Sequence, residues 1–114
     1  MVFVYGTLKR GHGNHGILAG ASHLGAAKTV HHYALHDDGL PMVDPKHPVS
    51  PIHGEVYGVN EAILARLDLL EGHPDWYRRE LIPVRLFNGQ IIDAWIYFNP
   101  SATGPVILSG NYNR

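Results

Sequence analysis

The sequence contains no cysteine among its 114 residues. A disulfide scaffold, a thiolate nucleophile and a cysteine-ligated zinc site are therefore all excluded. The sequence also lacks any apolar run close to the about 18 residues that a membrane-spanning helix requires, so we expect no membrane partner. No signal peptide is visible, and a cytoplasmic location is the expectation that follows.

Net charge is small as well. Lys and Arg together number nine and Asp and Glu together number ten, which leaves a formal net charge of −1. A nucleic-acid-binding domain carries a basic stripe, so we expect no nucleic-acid partner. With 45% hydrophobic and 17% charged residues, the chain has the composition of a soluble globular protein. Its length suits a single domain over residues 1–114, which we expect to be a monomer or a weak homodimer.

Two motifs raise the question of a cofactor or a metal, and neither has the context that such a site needs. Residues 11–16 match the G-x-G-x-x-G pattern of dinucleotide-binding loops, but residues 6–10 separate them from the preceding strand and no βαβ repeat follows. We interpret them as a flexible loop, with Asn14 as the cap of a short helix over residues 15–19. His31, His32 and His36 fall in an extended region, where adjacent side chains point to opposite faces. We predict neither a metal site nor a cofactor.

The 13 glycines and eight prolines favour a β-rich architecture, and the hydrophobic pattern predicts five or six strands. Residues 2–8 begin with four residues of high β preference and then reach Gly6, where the strand must stop or turn. Further strands are predicted at residues 22–36 (one long strand, or two short ones broken near Gly25), 52–59, 77–87 and 90–98. Between them, residues 37–51 carry four prolines and predict a long irregular loop, a candidate rim for a binding site.

Local signals refine these strands. Gly54 and Gly58 share one face of the strand over residues 52–59 and leave room for another backbone to approach. The Asn88–Gly89 pair predicts a type I′ hairpin between the last two strands. Pro83 indicates that its strand lies at an edge or contains a bulge. Residues 99–114 are predicted to be irregular and to fold back over the core.

One helix is strongly indicated, over residues 61–71. Asn60 has the side chain of an N-cap, Gly72 supplies the stop, and Pro74 prevents the helix from resuming. An apolar stripe runs along one face and consists of Ile63, Leu64, Leu67 and Leu70. Together these elements predict an α+β fold of about five to six strands, which form a small mixed β-barrel or a curled sheet with a helix packed against it.

Glu71 breaks a local rule, because it is a carboxylate at the negative end of a helix dipole. That position raises its pKa, as does any burial, and broken local rules are expected at functional sites. The turn after the first strand has free backbone N–H groups that can hold an anion or an oxyanion. Asp68, three residues before Glu71, is interpreted either as a partner of Glu71 or as ordinary helix surface.

Four sequence blocks, in order, resemble the γ-glutamylcyclotransferase-like family, closest to its γ-glutamylamine cyclotransferase and AIG2-like branch. They are V-F-V-Y-G-T-L-K-R-G at residues 2–11 with Asn14-His15, G-E-V-Y at 54–57, L-D-x-x-E-G at 67–72 with Pro74 and Y-x-R at 77–79, and S-G-N-Y at 109–112. The resemblance covers nearly the whole chain and is least distinctive over residues 20–51. The sequence departs from the closest branch at Leu69 and Leu70, where that branch often has an acid and an aromatic residue, and this affects the expected substrate preference.

The resemblance implies a small mixed β-barrel with two flanking helices. It also implies an enzyme that releases 5-oxoproline from a γ-glutamyl compound without a cofactor. It implies that Glu71 is the catalytic acid/base and that the backbone of Tyr5, Gly6, Thr7 and Leu8 holds the γ-glutamyl group. Asn14, Tyr77 and Tyr112 are the further substrate-binding residues expected from the matching blocks. The alternative is a binding module of the same fold that holds a small amino-acid-like ligand without catalysis.

Overall fold

Five strands close into a barrel in the computed structural model, which describes residues 1–112. In chain order the elements are β1 (Val2–Val4), a 3₁₀ helix (His15–Leu18), β2 (Ser22–Thr29), β3 (Ala34–Asp37), β4 (Pro41–Asp44), β5 (His53–Gly58), α1 (Glu61–Glu71), β6 (Arg78–Leu86) and β7 (Ile91–Phe98). The barrel order is β1-β5-β2-β6-β7. All neighbours are antiparallel except β7 and β1, which are parallel and close the barrel. The predicted α+β fold with a small mixed barrel is confirmed.

The interior of the barrel is filled by alternate residues of its strands. Along β7, Ala94, Ile96 and Phe98 belong to the interior cluster, while Tyr97 belongs to a second cluster outside the barrel wall. Successive side chains of a strand point to opposite faces of the sheet, so β7 contributes alternate residues to the two clusters. The side chains of Phe3, Leu35, Ile52, Val56, Val84 and Ile96 are almost completely buried.

Helix α1 packs against the outside of the barrel wall through the second cluster. Ile63 and Leu67 are buried there with Val2, Val4, Tyr57 and Tyr97. Burying one such aliphatic side chain stabilises the fold by about 1.5–3 kcal/mol. Leu69, on the opposite face, is exposed. The packing therefore holds the helix in one orientation and directs its final residue, Glu71, toward the end of β1.

The helix has the bounds that its local signals predict. The Asn60 side chain accepts a hydrogen bond of 2.8 Å from the Ile63 N–H, and Gly72 ends the helix in the left-handed conformation. The second predicted helix is a four-residue 3₁₀ helix, and the Asn14 side chain makes no capping hydrogen bond to it.

Three local predictions need correction. Residues 37–51 are not a wholly irregular loop, because β4 lies within them and pairs with β3 as a separate two-stranded sheet. The hairpin between β6 and β7 is not type I′, since Asn88 has a negative φ and a three-residue loop places Gly89 alone at φ 88°. Strand β6 is paired on both sides, but its pairing with β2 covers only Val84 to Leu86, so Pro83 lies just beyond the end of that ladder.

One further strand prediction is confirmed only in part. Residues 22–36 form two strands, but β2 continues through Gly25 with a register shift between His23 and Gly25, and the break lies at residues 30–33. The tail folds back over the barrel, because the His53 N–H donates to the Gly110 carbonyl at 2.8 Å and Tyr112 is buried in the barrel interior. Residues 113 and 114, the end of the predicted irregular tail, lie outside the described residues. None of the helices within residues 1–112 has the length and hydropathy to cross a membrane.

The close approach predicted at Gly54 is present, and it makes Gly54 sensitive to substitution. A Cβ atom there would lie 2.2 Å from the Val4 carbonyl oxygen and 2.8 Å from the Phe3 ring. We expect Gly54→Ala to lower the free energy of unfolding by about 1–3 kcal/mol, because β1 must shift to admit the methyl group. Urea denaturation followed by circular dichroism measures the change.

Gly58→Ala, on the same face of the same strand, is the matched control. A Cβ atom at Gly58 would meet its nearest neighbours at 3.6 Å or more, which is ordinary contact. We expect this variant to be at least as stable as the parent protein. Equal stabilities for the two alanine variants would contradict the assignment of a tight contact at Gly54.

Candidate active site

A cavity of about 140 Å³ lies between the turn after β1, the C-terminal end of α1 and the β3–β4 hairpin. The lining residues are Phe3, Val4, Tyr5, Gly6, Thr7, Leu8, Asn14, Leu40, Pro41, Leu70, Glu71, Trp76, Tyr77 and Tyr97. Six of the seven substrate-binding residues predicted from the sequence are therefore in one cavity with the predicted acid. They are Tyr5, Gly6, Thr7, Leu8, Asn14 and Tyr77.

Tyr112 is the predicted residue that the structure does not bring into the cavity. Its side chain is buried in the barrel interior, and its carbonyl accepts a hydrogen bond from the Lys9 ammonium group. Lys9 also donates to the Asn111 side chain at 3.3 Å, and burial lowers the pKa of Lys9. Tyr112 therefore anchors the tail beside the turn after β1.

The turn after β1 is held from behind by Asn14. The Asn14 backbone N–H donates to the Thr7 carbonyl at 2.8 Å, and its side-chain amide donates to the Thr7 hydroxyl at 2.8 Å. A hydrogen bond of 3.0 Å from the Lys9 N–H to the Gly6 carbonyl closes the turn itself. Within residues 1–112, the backbone N–H groups of Gly6, Thr7 and Leu8 donate no hydrogen bond. Such N–H groups at a cavity wall suit a carboxylate or a developing oxyanion.

The β3–β4 hairpin docks directly on this turn. A Cβ atom at Gly6 would lie 2.3 Å from the Pro41 ring, so only glycine allows Pro41 to pack this closely against the turn. The Tyr77 hydroxyl donates to the Pro41 carbonyl at 2.9 Å and fixes the same residue from the other side. The region predicted from its prolines as a candidate rim thus contributes Leu40 and Pro41 to the cavity.

Glu71 is the last residue of α1 and is largely buried in the cavity. Burial raises the pKa of Glu71 from its ordinary value of 4.5 to about 7. The part of the chain that the structure describes contains no hydrogen-bond donor to its carboxylate. A carboxyl group with this pKa is present in both protonation states near neutral pH, which is the property of a general acid/base.

Tyr5, Tyr77 and Tyr97 line the cavity with Glu71, and none of them donates its hydroxyl to the Glu71 carboxyl group. The Tyr5 hydroxyl donates to the Tyr97 carbonyl at 2.6 Å, the Tyr77 hydroxyl donates to the Pro41 carbonyl, and the Tyr97 hydroxyl donates to Asp68. Burial raises the pKa of both Tyr5 and Tyr77, and the nearby charge of Glu71 raises it further. These phenols stay neutral at any physiological pH, so Glu71 carries the proton chemistry of the cavity.

Asp68 is not ordinary helix surface. It accepts hydrogen bonds from Arg79 Nε at 2.8 Å, from Arg79 Nη2 at 3.2 Å and from the Tyr97 hydroxyl at 2.7 Å. Burial by itself would raise the pKa of Asp68, but these bonds outweigh it and lower the pKa. The Arg79 guanidinium also stacks on Trp95, 4.3 Å from the ring centroid. This network ties the last turns of α1 to β6 and β7, and so it holds Glu71 in place.

Trp76 and Tyr97 were not identified as site residues from the sequence. Tyr97 lies in a predicted strand, and the alternation of a strand alone does not show which face meets α1 and the cavity. Trp76 lies between the helix stop and β6, in a stretch without periodicity. Its ring packs edge-on against Tyr77 with centroids 4.8 Å apart, a contact that only the folded chain reveals.

The histidines do not form a metal centre in the described structure. Among residues 1–112, no three His, Cys, Asp or Glu side chains are grouped so that they could hold an ion. His31 and His32 are exposed after the end of β2, and His36 Nδ1 lies 2.9 Å from the Gly104 carbonyl oxygen.

The sequence is similar to one protein family over almost its whole length. Residues 2–114 match the family described as "Gamma-glutamyl cyclotransferase, AIG2-like". A Methanocaldococcus jannaschii protein named "Putative gamma-glutamylcyclotransferase" is 44% identical over 112 residues, which cover 97% of this chain and 93% of that protein. The human gamma-glutamylaminecyclotransferase is 37% identical over 95 residues, covering 75% of this chain and 62% of the human protein.

The fold is similar to that of solved structures. The crystal structure of a mouse AIG2-like protein superposes with a TM-score of 0.85 at 28% sequence identity, over 95% of this chain and 85% of the mouse chain. An uncharacterized protein from Pyrococcus horikoshii superposes with a TM-score of 0.75 at 29% identity, over 96% of this chain and 86% of that chain. The barrel and its flanking helix are therefore shared with these proteins.

The raised pKa of Glu71 predicts a pH-dependent stability. Between pH 4.5 and about 7 the folded state holds a proton that the unfolded state has lost, so stability falls as the pH rises through this window. We expect Glu71→Gln to be more stable than the parent protein at pH 8, by about 1–3 kcal/mol once partial solvent screening is allowed for. The difference should shrink toward pH 4.5. Urea denaturation at both pH values measures it.

Glu61→Gln is the control, because it removes an exposed carboxylate from the other end of the same helix. The positive end of the helix dipole favours that carboxylate, so this variant should not gain stability at pH 8. An alkaline gain of equal size in both variants would show that the effect comes from general charge and not from burial of Glu71.

Proposed function

The chain belongs to the gamma-glutamyl cyclotransferase, AIG2-like family, and we propose that it is an active γ-glutamylcyclotransferase of the γ-glutamylamine type. In this proposal it converts a γ-glutamyl amide to 5-oxoproline and a free amine, with Glu71 as the general acid/base. The observation that carries the proposal is the meeting of two features in one cavity. A carboxyl group with a pKa of about 7 faces a turn whose N–H groups have no partner in the described chain.

The turn supplies the electrostatic part of the reaction. A γ-glutamyl substrate carries an α-carboxylate, and its γ-carbonyl oxygen becomes negative when the carbonyl carbon is attacked. The N–H groups of Gly6, Thr7 and Leu8 are donors of the kind that stabilise such oxygens, and Asn14 holds the turn that presents them. One donor of this type contributes about 2.7–4 kcal/mol to transition-state stabilisation in enzymes that use it.

The chemistry requires only the movement of protons and the exchange of one bond. The α-nitrogen attacks the γ-carbonyl carbon of the same molecule, a C–N bond forms to close the five-membered lactam, and the C–N bond to the departing amine breaks. Two protons leave the α-nitrogen and two are gained by the departing nitrogen, so no water is consumed. A single carboxyl group that alternates between its two protonation states serves both nitrogens.

Because nucleophile and electrophile belong to one molecule, the enzyme's main task is to hold the substrate in a curled conformation. Correct orientation alone can supply roughly 7–11 kcal/mol of a reaction barrier. The cavity suits this task, since Pro41 packs against the turn and hydrogen bonds hold both in place. The proposed reaction uses no metal, nucleotide or covalent intermediate.

The first test measures 5-oxoproline release from γ-glutamyl-ε-lysine, γ-glutamyl-alanine and glutathione. We expect the parent protein to act on at least one γ-glutamyl amide and Glu71→Gln to lower kcat/KM by about 10²–10⁴-fold, the usual contribution of a general acid/base. In the parent protein, kcat/KM should rise with pH through about pH 7, because the reaction needs the ionised carboxylate first. The glutamine variant should lose that rise.

Two controls accompany this test. Glu61→Gln, at the far end of α1, should retain the parent rate and pH profile. Circular dichroism and binding of 5-oxoproline should show that Glu71→Gln is folded. A glutamine variant with the parent rate would overturn the role of Glu71. Ligand binding without turnover in the parent protein would favour the alternative of a non-catalytic binding module.

A further inference from the structure

Three basic residues, Lys28, His53 and Arg85, form a row across neighbouring strands on the outside of the barrel. Lys28 on β2 is directly opposite His53 on β5 and also directly opposite Arg85 on β6. All three are exposed, whereas the adjacent positions on β2, Ala27 and Thr29, are buried. Directly opposite side chains have Cβ atoms about 5 Å apart, so the three basic groups of this basic row are close neighbours.

The basic row breaks a rule of strand pairing. Like charges directly opposite one another destabilise a sheet, and the described chain supplies no acidic partner here. Within residues 1–112, the side chains of Lys28 and His53 make no hydrogen bond or ion pair, and the Arg85 guanidinium donates only to the Gly89 carbonyl at 3.4 Å. Proteins break such rules mainly at functional sites. A bound anion would offset the repulsion and satisfy the donors.

The basic row lies in a surface groove of about 330 Å³. This volume is at the lower end of the about 300–1,000 Å³ that is typical of small-molecule sites. Among the described residues that line the groove, none is Asp or Glu, and none also lines the cavity that contains Glu71. The lining residues are Ala26, Ala27, Lys28, His53, Arg85, Leu86, Phe87 and Gly89. The groove is therefore a second place where a small ligand fits.

An aromatic ring lies beside the basic row. The Phe87 N–H donates to the Ala26 carbonyl at 3.0 Å, so Phe87 is placed two residues along the ladder from Lys28. Its ring lies against Gly25, where a Cβ atom would be 2.7 Å away, and yet the residue is 74% exposed. Diagonal neighbours in a sheet lie about 7–8 Å apart, which is within reach of an aromatic side chain. The groove thus combines cations with an open aromatic surface.

Carboxylates beside the basic row limit the size of the anion. Glu55 follows His53 by two residues on the same face of β5, and Asp93 lies opposite Pro83, two residues from Arg85. A polyanion that ran along the strands would meet these like charges, whereas one phosphate group would contact the basic row alone. The net charge of −1 likewise does not favour a nucleic acid.

We propose that this groove binds a free nucleoside phosphate, with its phosphate on the basic row and its base on the Phe87 ring. Phosphate oxygens accept charge-assisted hydrogen bonds from ammonium and guanidinium groups, and an imidazole presents an N–H donor in either protonation state. A nucleobase has a flat π face that stacks on an aromatic side chain. The inference is independent of the proposed reaction, because the groove shares no lining residue with the candidate active site.

Titration calorimetry with AMP, adenosine and ribose 5-phosphate tests the two halves of the ligand separately. We expect saturable binding of AMP at millimolar concentration or below. Adenosine lacks the phosphate and ribose 5-phosphate lacks the base, so each should bind at least about tenfold more weakly. The absence of AMP binding would overturn the proposal. Ribose 5-phosphate that binds as tightly as AMP would overturn the assignment of a nucleoside.

A pair of lysine variants locates the phosphate. Lys28→Gln removes the central charge of the basic row and should weaken AMP binding about three- to tenfold, the loss expected for one exposed charge-assisted contact. Lys46→Gln removes the same charge from an exposed turn outside the groove and should leave the affinity unchanged. Equal losses in the two variants would show a general charge effect and would overturn the assignment to the basic row.

Phe87→Ala locates the base. It should weaken AMP binding at least about fivefold and leave ribose 5-phosphate binding nearly unchanged, because only the base contacts the ring. Circular dichroism should show an intact fold, since Phe87 is largely exposed. Equal losses for the two ligands would overturn the stacking role. A single-stranded oligonucleotide that binds more tightly than AMP would show that the groove takes a nucleic acid and would overturn the choice of a free nucleoside phosphate.

Discussion

Closure of the barrel depends on β1, which has only three residues. It pairs antiparallel with β5 along its whole length and parallel with β7 through Val2 and Trp95. All three of its residues are buried, and Gly54 on β5 admits its backbone and the Phe3 ring. The pairing stops at Val4, so the next residues leave the sheet with their N–H groups unpaired inside the described chain. The turn that forms one side of the cavity is thus a direct result of how the barrel closes.

The other side of the cavity depends on two carboxylates of one helix that experience opposite environments. Asp68 is held by Arg79 and Tyr97, and its pKa is lowered. Glu71, one turn later, is buried without a donor in the described chain, and its pKa is raised. Two carboxyl groups whose pKa values are pushed apart take on different roles. Asp68 fixes the helix against the barrel wall, and this rigid support is what allows Glu71 to stay in an unfavourable place.

Much of this arrangement follows from local sequence signals. The helix over residues 61–71 has its cap and its stop within a few residues, and the β6–β7 hairpin has adjacent strands, so short-range chemistry predicts both. Predictions failed where distant parts of the chain decide the structure. Pro41 lies in a strand because β3 pairs with it. Tyr112 is held away from the cavity because its side chain packs in the barrel interior and its carbonyl accepts a hydrogen bond from Lys9. The turn type of the β6–β7 hairpin is a local exception: Leu86 pairs with Gln90, and the three-residue loop between them leaves only Gly89 in the left-handed region.

The β3–β4 hairpin has a consequence for how such proteins diverge. It forms its own two-stranded sheet and contributes no strand to the barrel, yet the residue before β4, Leu40, lines the cavity and is 41% exposed. Glu71 and the N–H turn belong to the barrel and its helix, whereas part of the cavity wall belongs to this hairpin. Amino-acid substitutions in the short loop before β4 change this wall and leave the residues of the barrel core unchanged. Over evolutionary time, a lineage with this architecture can therefore alter one wall of the cavity without rebuilding the barrel and the helix that carry Glu71 and the turn.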